Sequence, residues 1–328
     1  MVIVYDTRSV RPHLRYEHYR EGTANETAPV VVDGPPPGRL FATMSTAAIG
    51  VVELSDIAWV ADTAVTALRT QRLIRASDPE CYRICLCVNG SSGRSEQAGN
   101  QVGFRARDIA LFDVSLPWMA TNTSGRLPMR RIMLTFPHAA TGLDPIRVRP
   151  YAGTVLPRKM PGRGSVAQFL IELAETVTNE EITDPTVVQA VHECAVGLIR
   201  QRLRQPNGIT TSTRRLLHTA RIRTIIRRNL ADPTLNTEQI AEAANMSPRY
   251  LHKILHDSGH TPMQLLKQLR LEQCRRSLRD RALSTKPIKE IISAYGYLRA
   301  DQFARDFKQL FGDSATQVRE LAQQEPLS

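Results

Sequence analysis

Two stretches decide how this chain is read. The first is Ile240-Ala241-Glu242-Ala243-Ala244-Asn245-Met246-Ser247-Pro248-Arg249-Tyr250-Leu251-His252-Lys253-Ile254-Leu255. The second is Ile291-Ile292-Ser293-Ala294-Tyr295-Gly296-Tyr297-Leu298-Arg299-Ala300-Asp301-Gln302-Phe303-Ala304-Arg305-Asp306-Phe307. Each opens on a short apolar run and turns through small or polar residues. Each then resumes with apolar positions four apart, Leu251 and Leu255 or Phe303 and Phe307, the spacing of one helix face. The offset is 51 residues from Ile240 to Ile291 and 52 from Leu251 to Phe303, which predicts one extra turn residue in the second copy.

Two short helices joined by a tight turn make a helix-turn-helix. The first helix braces the second, whose outer face can then enter a major groove about 12 Å wide. Ser247-Pro248 suits a helix start, because the hydroxyl can accept an orphan N–H and proline lacks one. Gly259 and Gly312 stand where the second helix of each pair should end. Any helical hairpin imitates one copy. An ordinary helical bundle leaves two copies, their spacing and their charge unexplained.

The charge is uneven. The chain of 328 residues carries a formal +11, a surplus that points to a polyanionic partner. From Thr211 to Ser328 there are 20 Lys and Arg against 12 Asp and Glu, a surplus of 8, and the remaining residues contribute only 3. Helical patterns fill this last third, near 213–229, 237–244, 248–257, 262–281, 287–294, 300–310 and 315–323.

Upstream the pattern changes. Residues 1–38 are polar, end in Gly34-Pro35-Pro36-Pro37-Gly38, and read as a loose N-terminal arm. Segments near 39–44, 49–61, 65–75, 81–89, 109–114 and 130–136 read as strands, with turns at Asn89-Gly90-Ser91-Ser92-Gly93 and Thr123-Ser124-Gly125. Tyr82, Ile84, Leu86 and Val88 alternate as in a half-buried strand. The expected fold is a mainly β barrel or jelly roll over about 39–160, after which 137–164 reads as a Pro-, Gly- and Arg-rich linker. Two helices over about 164–204 follow, the second capped by Asp184 with Pro185 at its first position. Their apolar stripes fit packing within the chain or against a second copy. Gln205-Pro206-Asn207-Gly208 marks the expected boundary, giving domains 39–208 and 209–328.

Five cysteines without a CxxC pair argue against a disulfide framework or a zinc site, and Cys81, Cys85 and Cys87 should share one strand face as packing residues. Only His13, His18 and His138 precede residue 160, none at ligand spacing, so a metal-dependent enzyme finds no support and no cofactor is expected. Trp59, Phe112 and Trp118 are core residues or the lining of a ligand pocket. No signal peptide pattern and no apolar run near ~18 residues occurs, so the chain is expected in the cytoplasm, on the nucleoid, and not in a membrane.

Residues 212–322 resemble the DNA-binding domain of the AraC/XylS family of bacterial regulators. The matching positions in the first unit are Ile240-Ala241, Ala244, Ser247, Tyr250-Leu251, Leu255 and Gly259-His260-Thr261-Pro262. Those in the second are Ile288, Ile291, Tyr295-Gly296-Tyr297, Phe303, Arg305, Phe307-Lys308, Phe311-Gly312 and Arg319. Through Arg72-Leu73-Ile74-Arg75, Asp108-Ile109-Ala110-Leu111 and its layout, the β-rich part is similar to the cupin-like sensing or dimerisation domain often fused to it. The chain departs from the family at Asp301, where a small polar residue is usual, at Ala315, usually Pro, and at Val318, usually aromatic.

With Leu251, Ile254 and Leu255 facing the core, Arg249, His252 and Lys253 face outward, at positions matching the family's base contacts. In the second unit Arg299, Asp301 and Arg305 occupy the outer face. Arg and Lys suit guanine O6 and N7, and Asp301 can accept from a cytosine amino group or orient Arg305. Ser247, Arg270, Arg275, Lys286 and Lys308 are the phosphate candidates, with Arg276 and Arg279 on the same long helix. That helix, with a stripe at Leu266, Leu269, Cys274 and Leu278, is the expected spacer between two recognition helices. The resulting expectation is a sequence-specific regulator of double-stranded DNA. Its N-terminal domain would sense a small-molecule effector, form a homodimer, or both, and RNA polymerase would be a partner if the protein activates. The alternative is a nonspecific architectural DNA-binding protein.

Overall fold

The computed structural model describes residues 2–34, 36–89, 92–123, 128–177, 184–204, 208–256 and 259–324. They form two compact units, Met1–Leu217 and His218–Ser328. The expected boundary at 205–207 lies outside the described residues, as do Pro35, Gly90-Ser91, Ser124-Gly125 and Thr183 of the expected turns.

The first unit is two facing antiparallel sheets. Its strands are β1 (Val2–Asp6), β2 (Val31–Asp33), β3 (Leu40–Ile49), β4 (Val52–Ala61), β5 (Val65–Arg69), β6 (Cys81–Cys87), β7 (Ser92–Gln97), β8 (Asn100–Gly103), β9 (Ile109–Asp113), β10 (Trp118–Thr123), β11 (Met129–Pro137) and β12 (Thr154–Val155). One sheet runs β1-β3-β4-β11-β6-β9-β12 and the other β2-β5-β10-β7-β8. The helices are α1 (Arg15–Ala24), α2 (Gln71–Ala76), α3 (Pro145–Val148), α4 (Arg163–Thr176) and α5 (Pro185–Arg202). Asp184 caps α5, accepting from the Thr186 N–H at 3.0 Å with Pro185 at the first position, as expected.

Strand register decides which side chains meet. Arg83, Cys85 and Cys87 of β6 lie opposite Thr135, Met133 and Arg131 of β11, and Arg131 lies opposite Ile57 of β4. This inner face meets Trp118, Ala120 and Asn122 of β10, which pair with Gln97, Ser95 and Gly93 of β7. The outer face of β6 is not solvated: Tyr82, Ile84 and Leu86 are all fully buried. The half-buried expectation for β6 therefore fails, because α4 packs on β4 and β11 and α5 on β3, covering the sheet from outside.

Three further readings are corrected. Residues 1–38 are not a loose arm: β1 pairs with β3, α1 packs on β1, and Tyr5 and Tyr19 are buried edge to face at 5.6 Å. The segment 137–164 is not a bare linker either, since Val148, Ala152 and Leu156 are fully buried. The expected break between strands 39–44 and 49–61 lies instead at Gly50-Val51, where β3 and β4 form a ten-residue hairpin. Gly50 has φ +60°, the conformation a two-residue hairpin turn demands of its first central residue.

Two buried charges organise this unit. Asp108 accepts from the Arg105 N–H at 2.9 Å, from Arg158 at 3.1 Å and from Arg163 at 2.9 Å, tying α4 to the start of β9. Burial pushes its carboxyl up, but hydrogen bonds from Arg158, the Arg105 N–H and Arg163 outweigh this and hold it below the ordinary range. Arg69, 1% exposed, donates to three carbonyls, and among the described residues to no carboxylate: Val114 at 2.7 Å, Pro29 at 2.8 Å and Ser77 at 2.8 Å.

Helix α6 (Thr211–Arg228) runs from the first unit into the second. The second unit continues with α7 (Thr237–Ala243), α8 (Pro248–His256), α9 (Pro262–Arg279), α10 (Ile288–Ala294), α11 (Ala300–Phe311) and α12 (Ala315–Gln324), close to the expected helices. It holds two small cores. Leu265, Leu266 and Leu269 of α9 join Ile240, Leu251 and Leu255 in one, and Leu271, Cys274 and Leu278 join Ile291, Phe303, Phe307 and Val318 in the other. The spacer helix is thus a shared wall. Val318 fills the position of the usual aromatic at 3% exposure. Ala315 lacks the conformational bias of proline, but Ser314 and Gln317 cap α12 reciprocally at 3.2 and 2.8 Å.

Candidate nucleic-acid interface

The two helix-turn-helix units share one turn, bond for bond. In the first, the Asn245 N–H donates to Glu242 O at 2.9 Å and the Met246 N–H to Ala241 O at 2.9 Å. In the second, the Gly296 N–H donates to Ser293 O at 3.1 Å and the Tyr297 N–H to Ile292 O at 3.0 Å, each position shifted by 51 residues. The pivots are Asn245 at φ +49° and Gly296 at φ +78°, left-handed conformations that Asn and Gly tolerate best. After the pivot, residues 297–299 against 246–247 supply the extra turn residue the offset predicts.

The second pivot has less room. A Cβ on Gly296 would lie 2.8 Å from Leu230 O and 2.7 Å from Arg270 Nη2. Gly296→Ala is therefore expected to cost about 2 kcal/mol or more, from the left-handed backbone and the displaced neighbours. Asn245→Gly should change stability by less than about 1 kcal/mol, since glycine takes the left-handed conformation freely and only adds freedom to the unfolded chain. Thermal unfolding of the two variants checks this; equal stability would remove the distinction.

Helix α8 turns Leu251, Ile254 and Leu255 inward and leaves Arg249, His252 and Lys253 exposed. None of these three side chains makes a hydrogen bond or ion pair among the described residues. Ser247 caps the helix, its Oγ accepting from the Tyr250 N–H at 3.3 Å. On α11, Phe303 and Phe307 are buried as expected. Its outer face behaves differently from that of α8. Asp301 holds Arg299 at 2.9 Å and Arg305 at 3.5 Å, and Arg305 also donates to Gln302 at 3.1 Å. The hydrogen bond from Arg299 holds the Asp301 carboxyl below its ordinary range. Arg299 itself stands one residue before α11, as its N-cap residue.

The phosphate candidates do not form one class. Lys308 is exposed on α11 and Lys286 is partly exposed before α10. Arg276 and Arg279 are exposed on α9. Arg275 lies over the Phe311 ring at 4.6 Å. Arg270 is removed from the set: its guanidinium donates to Leu230 O at 3.2 Å and to Asp232 O, bracing the α6–α7 connection. Spacing showed Arg270 on the long helix but not the carbonyls waiting beside it.

Trp59, Phe112 and Trp118, which the sequence left open between core and pocket lining, line a cavity of about 100 Å³ between the two sheets; sequence reasoning missed Arg83, Arg131 and Glu26, which line it with them. The signal was present in β6, where Arg83 interrupts an otherwise apolar strand. Among the described residues no three His, Cys, Asp or Glu side chains gather as a metal site requires.

Comparison with known proteins accords with this geometry. Residues 240–321 match the family model of a helix-turn-helix domain, and residues 19–200 match that of an AraC-binding-like domain. The chain is 27% identical over 258 residues to the transcriptional activator NphR of Rhodococcus sp, covering 76% of this chain and 72% of that one. It is 34% identical over 80 residues to the XylDLEGF operon transcriptional activator of Pseudomonas putida, spanning 24% of this chain and only 25% of that relative. Among solved structures, the AraC-like transcriptional activator CuxR superposes with a TM-score of 0.49 at 16% identity, covering 87% of this chain and 98% of that one.

Proposed function

Because this chain belongs to the AraC/XylS family of sequence-specific transcription regulators, we propose that α8 and α11 read its operator in two successive major-groove segments. The observation that carries this reading is the shared turn, which sets two second helices alike and leaves each with a basic outer face. Arg249, His252 and Lys253 contact bases from α8, and Arg299, Asp301 and Arg305 from the α11 end. The 18 residues of α9 span about 27 Å at 1.5 Å per residue, near the ~34 Å repeat of B-DNA. Ser247, Arg275, Lys286 and Lys308 meet phosphates; Arg270 does not.

The α8 side chains, without partners among the described residues, carry more of the specificity. Arg249→Ala should cost about 1–3 kcal/mol and relax preference at one base pair, while Lys308→Ala should weaken all sequences alike. Footprinting at physiological salt should show protection over about two consecutive major grooves per subunit. Equal binding to all sequences would instead describe a nonspecific architectural protein.

The first unit serves as the effector domain, with the cavity between its sheets as the binding site, and it also supports self-association. Sedimentation of the full chain with and without operator DNA checks the latter; a monomer under both conditions overturns it. The relatives are activators, and activation by this chain would run through contact with RNA polymerase. No helix among the described residues is long and apolar enough to cross a membrane, in keeping with a cytoplasmic place on the nucleoid.

A further inference from the structure

Five buried polar atoms in the first unit have no hydrogen-bond partner among the described residues and belong to residues lining one cavity. They are Trp59 Nε1, Arg83 Nη2, Ser95 Oγ, Trp118 Nε1 and Arg131 Nε. Four of the five can only donate. An unpaired buried donor is costly, so a group that accepts is the natural complement of this wall.

The charges in the cavity are unequal too. Arg83 donates to Thr135 Oγ1 at 3.0 Å and stands 3.9 Å from the Glu26 carboxylate, whose side chain is only 5% exposed. Arg131 has no carboxylate partner among the described residues. It donates to the neutral Asn122 Oδ1 at 2.7 Å across the barrel interior, and its guanidinium stacks over Phe104 at 4.7 Å. The backbone of β7 closes against this arrangement, since a Cβ on Gly93 would lie 2.8 Å from Arg131 Nη2 and 3.0 Å from Asn122 Oδ1. Arg131 is therefore held in place as a cation with a free N–H. Apart from Thr23, the rest of the lining is apolar or aromatic, with Tyr5, Tyr19, Phe112 and Met133 prominent.

Resting on the reading of this unit as an effector domain, we propose that the cavity binds a small organic carboxylate, its charge on Arg131 and its apolar body among the aromatic side chains. Arg83 Nη2 and the two indole N–H groups supply donors for a second acceptor on the same molecule. The size follows from the void. A void of about 100 Å³ confines the occupant to a small molecule.

Binding should depend on pH through Glu26. Burial pushes its carboxyl up to about 7, with Arg83 on β6 opposing and Glu53 on β4 reinforcing; Tyr5 on β1 and Tyr19 on α1 also face it. Ionised Glu26 adds a negative charge to the cavity wall that receives the ligand's carboxylate. Affinity should thus fall several-fold as pH rises from 6 to 8.

The chain contains two tryptophans, Trp59 and Trp118, and both line the cavity, so intrinsic fluorescence reports on it directly. Full-length protein is titrated with 2-furoate and with its uncharged analogue 2-furamide, then with isovalerate and its amide. A saturable change with at least one acid, its amide binding about tenfold more weakly or worse, is the expected result. Arg131→Gln should abolish that preference. Should this variant fail to fold, the acid–amide ratio and the pH dependence of the unaltered protein decide the matter. Amides binding as tightly as acids, or affinity rising with pH, overturns the proposal. If uncharged compounds saturate the fluorescence change and no acid does, the carboxylate class falls and the effector cavity stands. If no compound of either class binds in the millimolar range, the cavity loses both assignments. Operator footprinting is independent of every one of these outcomes.

Discussion

Replacing Arg69 by Ala is expected to destabilise the first unit strongly. The side chain is among the largest fully buried ones, and its guanidinium binds carbonyls from three separate connections, at Pro29, Ser77 and Val114. Removing it strands three acceptors, at about 1–3 kcal/mol each, and opens a cavity as well. A loss of at least about 4 kcal/mol is a large share of the 5–15 kcal/mol that typically holds a domain together. The melting temperature of that unit should fall by roughly 8 °C or more. Lysine should rescue little of this, because one ammonium on a thin stem cannot reproduce a planar fork aimed at three carbonyls. Thermal unfolding and limited proteolysis measure the effect. A fall of only one or two degrees would mean that water replaces the guanidinium at little cost.

The second large effect is expected for Phe307→Ala. Phe307 is fully buried, 5.1 Å from the Phe303 ring and 4.8 Å from the Phe311 ring, in a core with eight buried members among the described residues. Truncating a buried Phe costs about 3–5 kcal/mol, and a core this small has little with which to refill the space. The other core of the unit shares only α9 and Tyr295 with it. The second helix-turn-helix should therefore loosen while the first survives. Footprinting should show protection contracted to the groove read by α8, with affinity reduced at least tenfold. Full-length protection at unchanged affinity would show that α11 contributes little to binding.

The helix-turn-helix pair was legible because its information is local. Ile240 and Ile291, the pivots Asn245 and Gly296, and the four-residue spacing of Leu251–Leu255 and Phe303–Phe307 lie within short windows where helical period and turn chemistry act alone. Even the extra turn residue could be read from an offset. The barrel was legible only in outline. Strands β7, β8 and β10 are polar, β1 lies in a stretch that read as an arm, and β5 with α2 read as one strand. In each case pairing partners far along the chain, not propensity, select the strand.

The same division governs the candidate contact residues. Which side chains of α8 and α11 face outward follows from helix periodicity and the position of the core, so Arg249, His252, Lys253 and Arg305 could be named from the sequence. Whether an outward cation is free could not. Asp301 ties up Arg299 and Arg305, and Leu230 and Asp232 carbonyls occupy Arg270, through contacts that periodicity does not contain. The cavity lies mostly on the tertiary side of this line, since the sequence offered Trp59, Phe112 and Trp118 as core or pocket lining but none of the charged side chains beside them. Its lining runs from Tyr5 to Met133 and comes from both sheets, and strand register alone turns Arg83 and Arg131 inward. Because side chains alternate along a strand, a slip of one residue would send both arginines to the opposite face. Local physics in the sequence thus determined the two helix-turn-helix units, whereas long-range strand pairing decided that the barrel encloses Arg83 and Arg131.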